Sequence, residues 1–272
     1  MSPAIPPGTL FTLLVAIPSL VAFLLGKWVF LPAASPRSIA RDFLRTDWKY
    51  LGVAWGTTNV VNTLAMHFHV SHPFTSTIYD IEGTAVAAFQ GMTTMALTVL
   101  FTAVYLVGFP FVVLFTYFKL KAHDPEEAFR YAVAYVCLVL LAVPFFILFP
   151  VKITSLYLLQ VEPLMYELSP VIQQGIYATD TLVKAFPSLH AGLSVLAALY
   201  ARKADAAYAW TAAVLAVAIV LSTLYLGIHW LTDLLFALVL VAPAYYVSRR
   251  ISDPVAPLSG GWPSLRAVRR FY

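Results

Sequence analysis

The chain has 272 residues, of which 61% are hydrophobic and only 11% are charged, and its mean hydropathy is +0.81. A soluble globular domain carries about 25% charged residues, so this composition excludes an ordinary soluble fold and indicates a helical membrane protein. A net charge of +4 in so apolar a chain indicates basic loops beside a membrane. We therefore expect the lipid bilayer, and no nucleic acid, as a partner.

Six apolar runs near the bilayer-spanning length of about 20 residues follow one another along the chain. In chain order they predict helices at Thr9–Leu31, Thr93–Tyr117, Ala128–Phe149, Pro187–Tyr200, Tyr208–Leu226 and Trp230–Ser248. Pro18 and Pro144 are expected to kink the first and third helices, which membrane bundles tolerate. The first run lacks a basic leader and an A-x-A cleavage site, so we expect it to be retained. The predicted fold is all-α, a polytopic transmembrane bundle.

Trp48–Phe68 leaves the number of crossings open between six and seven. This stretch is long enough to span, but it carries five Thr and Asn residues. Basic residues help to decide, because they are enriched on the cytoplasmic side of a membrane. If Trp48–Phe68 crosses, all of the 17 Lys and Arg residues except Lys152 and Lys184 fall on one side. We therefore favour seven crossings, with that basic side in the cytoplasm.

Composition divides the chain into three parts. Residues 1–92 are expected to hold N-terminal transmembrane and interfacial segments, and residues 93–250 are expected to form the helical core. Residues 251–272 are rich in Pro, Gly and Arg, and we expect a basic, disordered cytoplasmic tail. The sequence leaves the oligomeric state open.

Two polar phrases lie at the ends of apolar runs, on the side opposite the basic loops. The first ends at His190, and the second runs from Ser222 through His229 to Asp233. His229 and Asp233 are four residues apart, so on a helix they would share one face within hydrogen-bond reach. A carboxylate fixes the tautomer of an imidazole and stabilises its cation, which makes histidine a nucleophile or base. With His190 as the acid, these residues predict phosphoryl transfer through a phosphohistidine.

Both phrases, and their order, resemble the phosphatidic acid phosphatase type 2 (PAP2) superfamily of membrane lipid phosphatases and phosphotransferases. The usual signature combines a Lys/Arg-Pro element with Pro-Ser-Gly-His and Ser-Arg-x5-His-x3-Asp elements. Here the second element reads Pro187-Ser-Leu-His190 and the third reads Ser222-Thr-x5-His229-x3-Asp233. The 39 residues from one histidine to the other suit a helical hairpin. The form of these phrases is most similar to the branch of inositol phosphorylceramide synthases and their prokaryotic relatives.

The resemblance implies a PAP2-like catalytic core in residues 93–250, with His229, His190 and Asp233 as catalytic residues. Two positions depart from the signature. Leu189 replaces a glycine, and Thr223 replaces the arginine that would grip a phosphate with two hydrogen bonds.

Another cation must then neutralise the phosphate. Lys152 is the first candidate, because it stands at the same membrane side as the histidines, and Lys184, next to the first phrase, is the second. Ser188 is expected either to cap the helix that carries His190 or to bond a phosphate oxygen. The predicted phosphate-binding residues are therefore Lys152, Lys184, Ser188, Ser222 and Thr223.

The function predicted from these residues is an integral membrane lipid-phosphate phosphatase with its active site on the extracytoplasmic face. Phosphatidate, polyprenyl phosphate or diphosphate, and phosphatidylglycerophosphate are candidate substrates. One alternative is a phosphotransferase of the inositol phosphorylceramide synthase kind, in which an alcohol or lipid acceptor replaces water. A second is a non-catalytic transporter or scaffold, with Asn59 and Asn62 in a polar path. Positioning and charge carry phosphoryl transfer, so we expect no cofactor and no metal.

Two further polar clusters have simpler interpretations. His67, His69 and His72 are spaced closely enough in the sequence to suggest metal ligands, but no carboxylate accompanies them. We therefore interpret them as loop residues. Asp80 and Glu82 are interpreted as an acidic turn at the membrane interface, with contact to a lipid headgroup as the alternative.

Overall fold

The computed structural model describes residues 6–42, 73–179 and 181–251, with five isolated positions between 43 and 72. The regular structure in these ranges is helical. We number its helices α1 Pro7–Phe30, α2 Pro36–Asp42, α3 Pro73–Glu82, α4 Met95–His123, α5 Pro125–Leu148, α6 Pro170–Thr179, α7 Leu189–Ala201, α8 Ala206–Tyr225 and α9 Leu231–Arg250. Shorter helical turns lie at Ala85–Gln90, Thr154–Leu156 and Leu164–Glu167.

The all-α membrane fold predicted from the sequence is confirmed. Five of the described helices, α1, α4, α5, α8 and α9, are long and apolar enough to cross a membrane. The remaining predicted helix is α7, which is apolar but has only 13 residues. Pro18 and Pro144 lie inside continuous helices. The predicted crossing Trp48–Phe68 and residues 252–272 of the predicted tail lie outside the described residues.

Helix α7 lies in the middle of the bundle and contacts α4, α5, α8 and α9. Small residues on its buried face let its neighbours approach closely. A Cβ atom added to Gly192 would lie 3.2 Å from Leu138 of α5 and 3.6 Å from Ala237 of α9. Because α7 is central, a residue in its first turn is surrounded by several helices at once.

Ion pairs gather at one end of the bundle, which we call the basic end. Lys119 of α4 pairs with Asp205, the residue that caps α8, at 2.5 Å. Arg249, near the end of α9, pairs with Glu127 in the first turn of α5, also at 2.5 Å. The ammonium group of Lys119 also donates to the carbonyl of Phe30 at 2.7 Å, so α1 ends here as well. The polar connectors predicted on one side of the membrane thus lie together.

The opposite end holds both histidines, and we call it the histidine end. Helix α3 lies there, because its last residue, Glu82, bonds Thr232 in the first turn of α9. The chain therefore leaves α1 at the basic end and enters α3 at the histidine end. A hydrophobic cluster that includes Val151, Ile153 and Trp230 forms the core at this end.

Candidate active site

His229 and Asp233 form a buried pair where α9 begins. The Nδ1 atom of His229 lies 3.2 Å from Oδ2 of Asp233, and the two side chains are 6% and 0% exposed. The same Oδ2 accepts the amide of Trp230 at 2.8 Å. The buried Oδ1 has no hydrogen-bond partner among the described residues. A carboxylate at Nδ1 favours the tautomer with its proton on that nitrogen, which leaves the lone pair of Nε2 available for reaction.

The predicted contact between His229 and Asp233 is present, but the predicted reason for it is wrong. The two residues do not share a helix face, because His229 lies before the helix and Trp230 is the N-cap residue. Asp233 stands in the first turn and folds back toward the cap, as an acidic residue does in a capping box. In this position the Asp233 carboxylate also contacts His229.

The turn that carries His229 depends on a glycine. Gly227 has a φ of 73°, and an added Cβ would lie 2.8 Å from the carbonyl oxygen of Glu162. Any side chain here would therefore meet both backbone strain and a close contact. The carbonyl of Gly227 accepts the amide of Ser155 at 3.0 Å, and the carbonyl of Thr223 accepts the amide of His229 at 3.2 Å. The backbone of His229 is thus fixed from both sides of the turn.

His190 is the second residue of α7 and faces His229. Ser188 caps the helix, since its Oγ accepts the amide of Ala191 at 3.3 Å. The amide of Ser188 donates to the carbonyl of Asp233 at 3.2 Å, which ties the start of α7 to the start of α9. The rings of His190 and His229 have centroids 6.1 Å apart. The structure therefore brings together the three residues predicted to be catalytic.

Two aromatic rings from α4 hold the imidazole of His190. Tyr105 stacks on it with centroids 4.2 Å apart and an angle of 24°, and the Phe109 centroid lies 4.3 Å away. The hydroxyl of Tyr105 is 3.4 Å from Nδ1 of His190, which is long for a hydrogen bond, so stacking dominates this contact. Tyr105 lies in a π-helical turn at Val104–Gly108 and Phe109 directly follows it; such a distortion is frequent at functional sites.

The predicted phosphate-binding lysines lie on two hydrogen-bonded segments beside the histidines. The amide of Val151 donates to the carbonyl of Val183, and the amide of Ala185 donates to the carbonyl of Val151, both at 3.0 Å. Lys152 directly follows Val151, and Lys184 lies between Val183 and Ala185. The indole of Trp230 donates to the carbonyl of Lys152 at 2.8 Å, so the Lys152 backbone lies against the start of α9.

Lys184 also lies near the histidines. It interacts electrostatically with His190, and its ammonium group lies 5.9 Å from the centroid of the Phe146 ring. Its backbone is held by the same two segments rather than by a free loop. Both lysines therefore remain candidates for neutralising a phosphate.

Ser222 and Thr223 have structural partners in their own helix. Their hydroxyl groups donate to the carbonyls of Ile219 and Val220, each at 2.7 Å, and both residues are fully buried. Because both hydroxyl hydrogens are already donated, these two residues could only accept a further hydrogen bond. Thr223, which stands at the arginine position of the signature, is thus buried within the bundle.

Glu82 was interpreted from the sequence as part of an interfacial acidic turn, but its carboxylate bonds the start of α9. Oε1 accepts the amide of Leu231 at 3.1 Å, and Oε2 accepts the amide and the hydroxyl of Thr232 at 2.7 and 2.8 Å. Sequence position could not reveal this contact, since about 150 residues separate the partners. The only signal was an acidic residue on the histidine side of the membrane.

Gln90 is a second residue whose role the sequence did not reveal. Its amide nitrogen donates to the carbonyls of Glu162 and Tyr225 at 2.9 and 2.8 Å, and its oxygen accepts the amide of Glu162 at 2.8 Å. These bonds fix the end of α8 just before the turn that carries His229.

Metal ligands were considered in the sequence at His67, His69 and His72, which lie outside the described residues. Within the described ranges, no three His, Cys, Asp or Glu side chains are grouped so that they could hold a metal ion. What the described site offers is one imidazole backed by a carboxylate, a second imidazole facing it, and two nearby lysines. This combination suits transfer of a phosphoryl group to and from a histidine.

Comparison with known proteins agrees with the resemblance found in the sequence phrases. A family model of the PAP2 superfamily matches residues 76–247, which is more than half of the chain and includes both histidines and Asp233. No curated protein and no solved structure gave a match. The match extends from α3 to α9, so it also includes Glu82, Lys152 and Lys184.

Proposed function

The chain belongs to the PAP2 superfamily, and from that premise we propose that it is a membrane lipid-phosphate phosphatase that works through a phosphohistidine on His229. The observation that carries this proposal is the buried His229–Asp233 pair facing His190. A histidine with a purely structural role needs a hydrogen-bond partner, but it does not need a second imidazole facing it. A phosphoryl-transfer site of this kind needs two imidazoles, one as the nucleophile and one as the acid.

The first half-reaction follows from the tautomer of His229. With its proton on Nδ1, toward Asp233, the Nε2 lone pair attacks the phosphorus of the lipid phosphate. An N–P bond forms, the bond from phosphorus to the lipid oxygen breaks, and His190 donates a proton to that oxygen. Asp233 stabilises the positive charge that develops on the ring of His229.

The second half-reaction returns the enzyme to its starting state. A water molecule gives a proton to His190 as its oxygen attacks the phosphorus, and the N–P bond breaks. Inorganic phosphate leaves, and His229 regains its lone pair. The same two histidines thus serve both steps with their proton roles reversed.

Charge for the phosphate would come from the lysines and from the start of α7. Lys152 and Lys184 flank the hydrogen-bonded segments beside the histidines. The first amides of a helix have no partner within the helix, and its N-terminal end attracts anions. Ser188 caps α7 through its side chain, so its role toward a phosphate would be to present this helix end.

The position of the site suits a substrate that is a membrane lipid. Helix α7 rises about 20 Å over its 13 residues, whereas the hydrocarbon core of a bilayer is about 30 Å thick. His190, at its start, would then lie below the level of the membrane surface. We propose that this end faces the extracytoplasmic side, because the basic loops lie at the other end.

A lipid phosphotransferase of the inositol phosphorylceramide synthase kind shares the first half-reaction, and the missing arginine at Thr223 fits that branch. In that case an acceptor hydroxyl, rather than water, attacks the phosphohistidine. A transporter or scaffold with this fold would release no phosphate at all.

One experiment separates these three functions. The purified full-length protein in lipid nanodiscs is incubated with labelled phosphatidate, polyprenyl diphosphate and phosphatidylinositol, with and without added alcohols. We expect phosphate release from at least one substrate without any acceptor, abolished in His229→Ala and retained in His123→Ala, a histidine at the basic end. Transfer that occurs only with an acceptor would support the phosphotransferase, and no turnover of any substrate would contradict both enzymes.

A further inference from the structure

Glu82 makes a set of contacts that its own helix does not explain. It is the last residue of α3, and the next residue, Gly83, ends the helix with a φ of 59°. A carboxylate at the C-terminal end of a helix meets the negative end of the helix dipole, which is unfavourable. It is also close enough to Asp233 for the two carboxylates to interact electrostatically. The position of Glu82 is therefore unfavourable for the end of α3, which points to a role of its carboxylate outside its own helix.

The gain from Glu82 lies at the start of α9. Its two oxygens accept the amides of Leu231 and Thr232, at 3.1 and 2.7 Å. The preceding amide, that of Trp230, is held by Asp233 at 2.8 Å. Two carboxylates therefore bind three consecutive amides, and Glu82 accepts the two that follow Trp230. Among the described residues, Oδ2 of Asp233 is shared between Trp230 and His229 alone.

The helix that carries Glu82 is itself firmly anchored at the histidine end. Thr75 of α3 is buried, and its hydroxyl accepts the amide of Lys152 at 3.1 Å. Tyr79 packs against Tyr157 with ring centroids 5.7 Å apart, and Tyr157 packs against Trp230 at 5.9 Å. Glu82 is thus a fixed anchor, which sets the position of the first turn of α9 instead of following it.

We propose that Glu82 is a positioning residue for the catalytic pair: it fixes the first turn of α9 and so directs the Asp233 carboxylate at Nδ1 of His229. This inference rests on the proposed phosphohistidine function. Glu82 does not touch the reacting atoms, and its effect reaches them through Asp233. Its loss should therefore slow the chemical steps without weakening substrate binding.

The test compares Glu82→Gln with Asp80→Asn in the full-length protein in nanodiscs, with dioctanoyl phosphatidate and farnesyl diphosphate as probes. Asp80 is the matched control, because it is an exposed carboxylate on the same helix and has no side-chain partner among the described residues. Glutamine keeps one acceptor oxygen but turns a donor toward the second amide. We expect Glu82→Gln to lower kcat about 10- to 100-fold and to leave KM unchanged. This is the range of losses seen when a hydrogen-bond partner that orients a functional side chain is removed. Asp80→Asn should match the wild type.

Hydrogen exchange gives a readout that does not depend on activity. In Glu82→Gln, the amides of residues 230–234 should exchange faster than in the wild type or Asp80→Asn. If Glu82→Gln does not fold, Thr232→Val serves instead, since it removes only the hydroxyl contact with Glu82 and should give a smaller loss of kcat.

Three results would overturn the inference. Faster exchange with an unchanged kcat would make Glu82 a helix cap and nothing more, and a raised KM with an unchanged kcat would make it a substrate-binding residue. Exchange equal to that of the wild type would show that Glu82 does not fix the turn. A wild-type protein that releases no phosphate from either probe or from the wider substrate panel would instead overturn the proposed function, and with it this role of Glu82.

Discussion

The backbone amide of Ser188 donates to the backbone carbonyl of Asp233 at 3.2 Å, so the cap of α7 is bonded directly to the first turn of α9. His190 lies two residues after Ser188, and His229 lies four residues before Asp233. This bond between the two helix starts therefore helps to hold two imidazoles that are far apart in sequence, with centroids 6.1 Å apart. Without a backbone bond between the two helix starts, the distance between the two imidazoles would depend on side-chain contacts and on the loops that precede the helices.

Asp233→Asn should give a folded protein with a greatly reduced kcat. The same oxygen of Asp233 contacts both the Trp230 amide and Nδ1 of His229. An asparagine that places its oxygen there keeps both contacts but loses the negative charge that stabilises the imidazolium. An asparagine that places its nitrogen there turns a donor toward Nδ1, so that the imidazole shifts its proton to Nε2 and loses its nucleophilic lone pair. Loss of the carboxylate behind a catalytic histidine costs up to about 10⁴-fold in kcat. Steady-state kinetics and thermal unfolding of the purified variant measure both effects. A kcat equal to that of the wild type would remove Asp233 from the mechanism.

His190→Ala should affect substrates according to their leaving groups. A lipid alkoxide needs a proton as it leaves, so loss of the acid should lower kcat on phosphatidate about 10²- to 10⁴-fold. The leaving group of 4-nitrophenyl phosphate is a stable anion, and its turnover should fall much less. The ratio of the two kcat values, measured in His190→Ala and in the wild type, tests this role. An equal loss on both substrates would assign His190 to phosphate binding instead of proton transfer.

Lys152→Ala and Lys184→Ala test which cation neutralises the phosphate. We expect Lys152→Ala to weaken both binding and turnover, with about 10²- to 10³-fold lost in kcat/KM, as for a single electrostatic donor in an active site. Lys121→Ala, at the basic end, is the control for a change of charge. A small effect in Lys152→Ala and a large one in Lys184→Ala would transfer the role to Lys184, which already interacts with His190.

Cysteine labelling tests which end of the bundle faces the cytoplasm. In a Cys137→Ala background, Leu159→Cys places a thiol at a fully exposed position of the histidine end, and Lys203→Cys places one at the basic end. We expect an impermeant maleimide to label Leu159→Cys in intact cells and Lys203→Cys only after permeabilisation, because basic loops favour the cytoplasm. The reverse pattern would place the active site inside the cell.

Local sequence patterns predicted the helices and the contact between His229 and Asp233, whereas they did not predict the long-range contacts. The apolar runs that predicted α1, α5, α8 and α9 depend only on neighbouring residues, and so does the spacing of His229 and Asp233. The end of α4 was predicted six residues too early, because Lys119 and Lys121 look like a loop unless the partner of Lys119, Asp205, is known.

The supporting residues of the site could not be predicted in the same way. Glu82 bonds a turn about 150 residues later in the chain, and no periodicity records that contact. Tyr105 reaches His190 from a π-helical turn, which the sequence does not distinguish from regular helix. Thr223 was predicted to bind phosphate from its place in the signature, whereas its burial and its bond to Val220 depend on the packing of α8.

The most direct test of the account is to trap the covalent intermediate on His229. The protein is mixed briefly with phosphatidate that carries a radiolabelled phosphate, denatured in alkali, digested and analysed by mass spectrometry. We predict a label that is stable in alkali and labile in acid, as expected for a phosphohistidine, on the peptide that contains His229 and absent in His229→Ala. Turnover without such a label, or a label that persists in His229→Ala, would contradict the central claim.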